Sequence, residues 1–231
     1  MSGLFITFEG LDGSGKSTQL KRVAADLERR GVAHVVTREP GGTPFADLLR
    51  ELFLRREAAQ VDGVVELMLV FASRRQHLIE VIEPAVAAGA VVLCDRFTDS
   101  TYAYQGGGRG VPRGVIAEAD RLATSGRAPD RTLFFELSPE EAQRRRREGA
   151  ADRIDRESLA FYRRVHEVYG RRVAAEPERF RVIDATASID DVARSVEAAL
   201  GDLLPAGDHH CLDDEATGSA RDDSDRNAAG A

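Results

Sequence analysis

Gly10-Leu11-Asp12-Gly13-Ser14-Gly15-Lys16-Ser17 has the spacing G-x-x-x-x-G-K-[ST]. The apolar run before it, at 4–8, reads as a buried strand. The glycines let consecutive backbone N–H groups turn inward and form an anion cradle, Lys16 reaches outer phosphates, and the Ser17 hydroxyl is a magnesium ligand. Thr18 opens a stretch of helical periodicity to Arg30, whose N-terminus faces the same anion. The expected contacts to a nucleoside triphosphate such as ATP are therefore Gly10, Leu11, Asp12, Gly13, Ser14, Gly15, Lys16, Ser17 and Thr18.

Beyond this loop, apolar runs alternate with helical periods. Strands are expected at 4–9, 34–37, 91–95, 132–137 and 180–183. Helices are expected near 16–30, 43–56, 63–88, 113–125, 139–147, 157–175 and 189–204. Such alternation predicts an α/β fold, a parallel five-stranded sheet with helices on both faces. Ligands of such sheets collect beyond the carboxyl ends of the strands. That is where the remaining polar signals fall.

At 231 residues with 42% hydrophobic content, the chain suits one enzyme-sized domain. No window approaches the roughly 18 apolar residues that span a bilayer, and no signal-like leader is visible. Cys94 lies in an apolar strand and Cys211 in a polar tail, so no disulfide is expected and the predicted compartment is the cytoplasm. The net charge of −7 is uneven, with seven acids and two arginines after residue 204. The tail at 205–231 thus reads as acidic and disordered, outside a unit at 1–204. His209, His210, Cys211 and Asp213 lack a folded frame there, so a solvated tail is favoured over a metal site. The near-neutral body has no nucleic-acid footprint, and neither a nucleic acid nor a membrane is an expected partner.

Arg38-Glu39-Pro40-Gly41-Gly42-Thr43 follows the second strand. Its Pro-Gly-Gly run brings backbone close to a ligand, and Thr43 can cap the next helix. The third strand ends in Val91-Val92-Leu93-Cys94-Asp95-Arg96, four apolar residues followed by an acid, which reads as a carboxylate at magnesium; a structural Asp95–Arg96 pair is the alternative. Arg96 stands where ATP-hydrolysing machines often place a glutamate that activates water. This favours transfer to a phosphate acceptor over hydrolysis.

Taken together, Phe8 to Ser17, Arg38 to Thr43, Phe71-Ala72-Ser73-Arg74, Asp95-Arg96-Phe97 and Ser100-Thr101-Tyr102-Ala103-Tyr104-Gln105-Gly106 strongly resemble the thymidylate kinases, over about 4–204. The resemblance implies a P-loop nucleoside monophosphate kinase that moves the γ-phosphate of ATP to dTMP with Mg²⁺. It also implies a homodimer and a short arginine-rich lid at about 143–155. By position, Asp12 would approach the 3′-hydroxyl of dTMP, and Arg38 with Arg96 would grip the acceptor phosphate. Ser17, Glu39 and Asp95 would organise magnesium. Phe71 would stack on thymine and Arg74 would donate to a base carbonyl, with Arg75 as competitor. Ser100, Thr101 and Gln105 would surround base and sugar, and Tyr104 would crowd the 2′ position. Arg144 and the turn Asp184-Ala185-Thr186 are candidates at adenine. The phosphate loop has no arginine, so the transition-state cation would come from Arg147, Arg146 or Arg153 in the lid, beside the catalytic candidates Lys16, Arg96 and Asp95.

The chemistry agrees independently. A nucleoside monophosphate is largely dianionic at neutral pH and needs no general base. The protein has to supply alignment and positive charge around repelling phosphates, a task suited to the arginine fork. Another monophosphate or deoxynucleoside kinase, or a non-transferring nucleotide switch, remains the alternative; the absence of an N-K-x-D segment argues against a GTPase.

Overall fold

The computed structural model describes residues 3–55, 61–146, 154 and 157–204, without the side chain of Arg146. Strands β1 (Leu4–Gly10), β2 (His34–Arg38), β3 (Val91–Asp95), β4 (Arg131–Glu136) and β5 (Phe180–Asp184) pair in parallel in the order β2-β3-β1-β4-β5. The connection leaving β1 runs towards β2, and the one leaving β3 crosses to β4. These opposite directions open a crevice beyond the carboxyl ends of β1 and β3. Register places Phe8 of β1 and Arg38 of β2 on either side of Asp95.

Strand alternation explains the two helical layers. Ile6, Phe8, Leu93 and Leu133 share a core cluster with Leu20 and Leu27 of α1 (Lys16–Arg29) and with Val192 and Val196 of α9 (Ile189–Leu200). Phe5, Val92 and Cys94 point the other way, onto Leu78, Ile82 and Phe97. The Phe5 and Phe97 rings meet edge to face at 4.9 Å. Each of these aromatics contributes roughly 1.5–3 kcal/mol by leaving water.

Local sequence sets the helix starts. Thr43 accepts from Ala46 N and Pro44 opens α2 (Pro44–Leu54), while the Asp62 carboxylate caps α3 (Gly63–His77). Pro is tolerated in a first turn because its missing N–H would have been unpaired there. The helix expected at 63–88 is one rod with a fault: a π-helical turn, Leu78–Ile82, separates α3 from α4 (Glu83–Ala87). Pro84 lacks the N–H that a regular turn requires, and the wider turn accommodates it.

The sequence reading assigned no helix between the third strand and residue 113. The structure has α5 (Thr98–Thr101), continuing into a π-helical segment, Tyr102–Gly108. It precedes α6 (Arg113–Thr124), α7 (Pro139–Arg146) and α8 (Leu159–Ala175). Its glycines read as loop signals, but they serve packing against α8. A Cβ at Gly107 would lie 2.6 Å from the Arg164 carbonyl oxygen, and one at Gly108 would lie 2.4 Å from the Phe161 ring. No helix among the described residues is long and apolar enough to cross a membrane. The tail at 205–231, with its His209, His210, Cys211 and Asp213, lies outside the described residues, as does most of the expected lid.

Candidate active site

The phosphate loop leaves β1 and enters α1 without a side-chain cap on the helix end. Gly15 holds the N-cap at φ 85°, with no capping side chain and no acid in the first turn. Helix N-terminal N–H groups and the helix dipole therefore face an open, anion-seeking loop. Gly15 is required by its left-handed backbone, since a Cβ there would meet nothing within 4 Å. Lys16 folds across the loop, donating to Leu11 O at 2.9 Å and lying 3.8 Å from Asp12 Oδ1. Burial, then the nearby Arg96 charge, holds its ammonium below the usual lysine range. The hydroxyl of Ser14 is buried with no partner among the described residues.

Two oxygen donors meet where β3 ends. Ser17 Oγ donates to Asp95 Oδ2 at 3.1 Å, and the buried Asp95 Oδ1 has no partner among the described residues. An orphaned carboxylate oxygen next to a hydroxyl, at a helix N-terminus, fits Mg²⁺. This ion is usually held by only one or two protein ligands, completed by phosphates and water.

Glu39 was expected at the metal and is corrected. It is 2% exposed, Oε2 accepts from Arg74 Nε at 2.6 Å, and Oε1 lies 3.0 Å from His77 Nδ1. Both oxygens are committed inside the protein. The structure makes Glu39 the anchor of Arg74.

Arg96 sits at the centre of the crevice, on a left-handed backbone with φ 73°. Its Nη2 donates to Asp12 Oδ1 at 2.6 Å, its Nη1 donates to Ser100 Oγ at 3.0 Å, and its guanidinium lies 5.0 Å from the Tyr104 ring centroid. The Asp95–Arg96 ion pair considered from sequence is not formed; the partner of Arg96 is Asp12.

Beneath Arg96 lies a residue that carried no sequence-derived role, Glu9. Its carboxylate accepts from Phe97 N at 2.7 Å, Ser100 Oγ at 2.6 Å and Tyr169 OH at 2.8 Å. Burial, then the charge of Asp99, pushes its pKa up to about 7 against lowering by Arg96 and Ser100. Glu9 thus holds the turn that presents Arg96. A charged residue inside an apolar strand was the available signal. Tyr169 gave none, because it falls on the buried stripe of α8 with Phe161, Tyr162 and Val165.

On the far side of the crevice, α3 lies against the helix at 98–108. Arg74 is 1% exposed. Its Nη2 donates to Thr101 Oγ1 at 3.0 Å, while Nη1 is buried with no partner among the described residues. Arg75 points instead to Ala123 O and Ser125 Oγ, towards α6. Phe71 packs with Leu67, Tyr102, Val111 and Ile116, and its ring centroid lies 4.8 Å from the Arg74 guanidinium carbon. Phe97 lies 4.9 Å from the same carbon. Two aromatics therefore clamp a buried cation. Thr101 and Gln105, one turn apart, are buried on this side.

Other expected residues are more peripheral. Arg38, over half exposed, pairs with Asp47 at 3.2 Å. Arg144, one of the candidates at adenine, pairs with Glu141 and is 71% exposed. Arg145 reaches Ala185 O at 3.0 Å and Gly13 O at 3.5 Å. It so bridges the phosphate loop and the turn after β5, because helical geometry turns consecutive residues about 100° apart and only one faces the loop. The Arg146 side chain, Arg147 and Arg153 lie outside the described residues.

Comparison with known proteins agrees with this geometry. The thymidylate kinase family model matches residues 8–196. A thymidylate kinase of Hahella chejuensis is 48% identical over 203 residues, covering 87% of this chain and 98% of the relative. One of Pseudomonas syringae pv. tomato is 49% identical over 205 residues, covering 88% and 98%. The crystal structure of thymidylate kinase from Ehrlichia chaffeensis superposes with a TM-score of 0.72 at 33% identity, covering 87% of this chain and 99% of that one. With an open phosphate loop facing an arginine-lined acceptor crevice, and with similarity running nearly the full length of these relatives, the chain belongs to the thymidylate kinase family.

Proposed function

We propose that the chain transfers the γ-phosphate of ATP to dTMP, giving ADP and dTDP. One observation carries this reading: Arg96 stands across from the phosphate loop, within 2.6 Å of Asp12 and 3.0 Å of Ser100. A second phosphate-binding cation thus faces the first across one crevice. In this reading the loop N–H groups and Lys16 hold the donor phosphates, and Arg96 with Arg38 draws the acceptor oxygen into line. Asp12 turns towards the 3′-hydroxyl once phosphate competes for Arg96. Ser17 and Asp95 would hold Mg²⁺, which when bound neutralises charge between the donor phosphates. Arg74 Nη1 is offered to a base carbonyl, with Phe71 as its support, and Tyr104 borders the sugar. No general base is required, because the acceptor is already anionic.

The kinase unit is read as 1–204, supported by the family match to 8–196, with a lid at about 143–155 and its catalytic cation on Arg146, Arg147 or Arg153. Its compartment is the cytoplasm, where nucleotides are made. A homodimer is supported by an exposed apolar row: Phe45, Leu48 and Leu52 on α2, beside Val65 and Met68 on α3, each 47–66% exposed. Contiguous apolar surface of this kind marks an interface. Light scattering that gives one chain mass at micromolar concentration refutes the dimer.

The activity is tested by coupled assay of ADP release with dTMP, dUMP, dCMP, AMP or thymidine as acceptor. Release is expected with dTMP and negligible without acceptor. ATP turnover independent of any acceptor would identify a switch or ATPase instead.

A further inference from the structure

We propose that Glu66 is a positioning residue that fixes which end of the Gln105 amide faces the nucleobase. The inference rests on the dTMP reading given above. Glu66 lies on α3, 0% exposed. Its carboxylate accepts from Gln105 Nε2 at 3.2 Å and from Arg109 Nε at 3.0 and 3.1 Å. Arg109 in turn reaches Glu157 at 2.6 Å through Nη1, and its guanidinium lies 4.9 Å from the Phe161 ring centroid. The carboxylate is thereby held in place by a cation that is itself held on two other sides.

A carboxylate accepts hydrogen bonds and donates none, whereas an amide side chain can present either its oxygen or its nitrogen. Glu66 therefore selects the nitrogen end of Gln105 and turns Oε1 the other way. That oxygen has no protein partner among the described residues. Thr101, one turn before Gln105, receives Arg74 Nη2, and Arg74 Nη1 is buried without a partner. The helix at 98–108 and α3 thus present one unpaired donor and one unpaired acceptor along the same side of the crevice. A pyrimidine with adjacent ring N–H and carbonyl, as in thymine or uracil, satisfies both. Cytosine offers an unprotonated ring nitrogen and an amino group, and mismatches both.

A buried polar group left unpaired by the wrong base can cost a factor of 10⁴ or more in kcat/KM. A locked amide is needed for that penalty, since a free amide would rotate to suit either base. With Glu66→Gln the partner amide can donate or accept, and Gln105 is released. The ratio of kcat/KM for dTMP over dCMP is expected to fall at least tenfold, while the ATP dissociation constant stays within about twofold. Glu66→Asp keeps an acceptor-only partner and should retain most of the discrimination. In a Gln105→Leu background, Glu66→Gln should change the ratio no further, which a merely structural role would not predict.

An unchanged ratio in Glu66→Gln, or a full effect persisting in the Gln105→Leu background, overturns the proposal. Wild-type protein with no preference for dTMP over dCMP would instead refute the base-site reading itself, and the proposal with it. If Glu66→Gln fails to fold, ¹⁵N-labelled wild type with dTMP decides: two separate, exchange-protected Gln105 amide protons are expected, and rapidly exchanging ones overturn the lock.

Discussion

Removing the Arg96 guanidinium should separate acceptor use from folding. The side chain is 15% exposed and its Asp12 partner 44% exposed, so the ion pair is half in water and contributes at most about 1 kcal/mol to stability. Alanine inherits the same left-handed backbone at φ 73° and adds no new strain, since both are L residues with a Cβ. Glu9 keeps its bonds from Phe97 N and Tyr169 OH, so the turn stays tied down. Arg96→Ala is therefore expected to melt within a few degrees of wild type. The cost in function is larger. Losing a bidentate, partly desolvated contact to phosphate costs about 2–5 kcal/mol, roughly 30- to 5,000-fold in kcat/KM for dTMP. Arg96→Lys restores the charge but not the fork and should recover only part of it. Coupled ADP-release kinetics over a dTMP titration measures this loss, and calorimetry with ATP should show the donor affinity spared. Lost ATP binding with dTMP binding intact would mean that donor and acceptor pockets have been exchanged here. A kcat/KM within threefold of wild type would remove Arg96 from the acceptor site.

Lys16→Ala should leave the fold intact and lower kcat by roughly 10² to 10⁴, and near-normal turnover in a folded variant contradicts the loop assignment. Glu9 has a pKa of about 7 in the fold against 4.5 for the free side chain. The native state therefore binds its proton more tightly, and stability falls as pH rises from about 4.5 to about 7, then levels. His166, raised by its bond to Glu136, adds a loss in the same direction as pH climbs through its own raised pKa. Urea unfolding of wild type and Glu9→Gln across pH 5–7.5 isolates the Glu9 contribution, and equal slopes in the two proteins refute it. For the lid, at least one of Arg146→Ala, Arg147→Ala and Arg153→Ala should lower kcat tenfold or more with little change in nucleotide affinity. Full turnover in the triple variant would leave that charge to Arg38 or Arg96.

The sequence by itself determined the layers and the donor loop. Strand and helix periods are local properties of consecutive side chains, and G-x-x-x-x-G-K-S carries its own backbone geometry, so both were legible without any partner in space. The helix at 98–108 was not, because its glycines read as a loop until the close approach of α8 gives them a purpose. The same limit governs where individual side chains settle. Glu39 at a strand end reads as a metal ligand, yet the inward face of α3 brings Arg74 and His77 to both its oxygens. Arg144 and Arg145 are equivalent in a run of four arginines, and only the helix azimuth decides which reaches the phosphate loop. Glu9, Tyr169, Glu66 and Arg109 look like an odd strand residue, a core aromatic and two helix-surface charges. Tertiary structure made them the supports of the crevice, because a buried charge can be held only by partners that the fold delivers from distant parts of the chain.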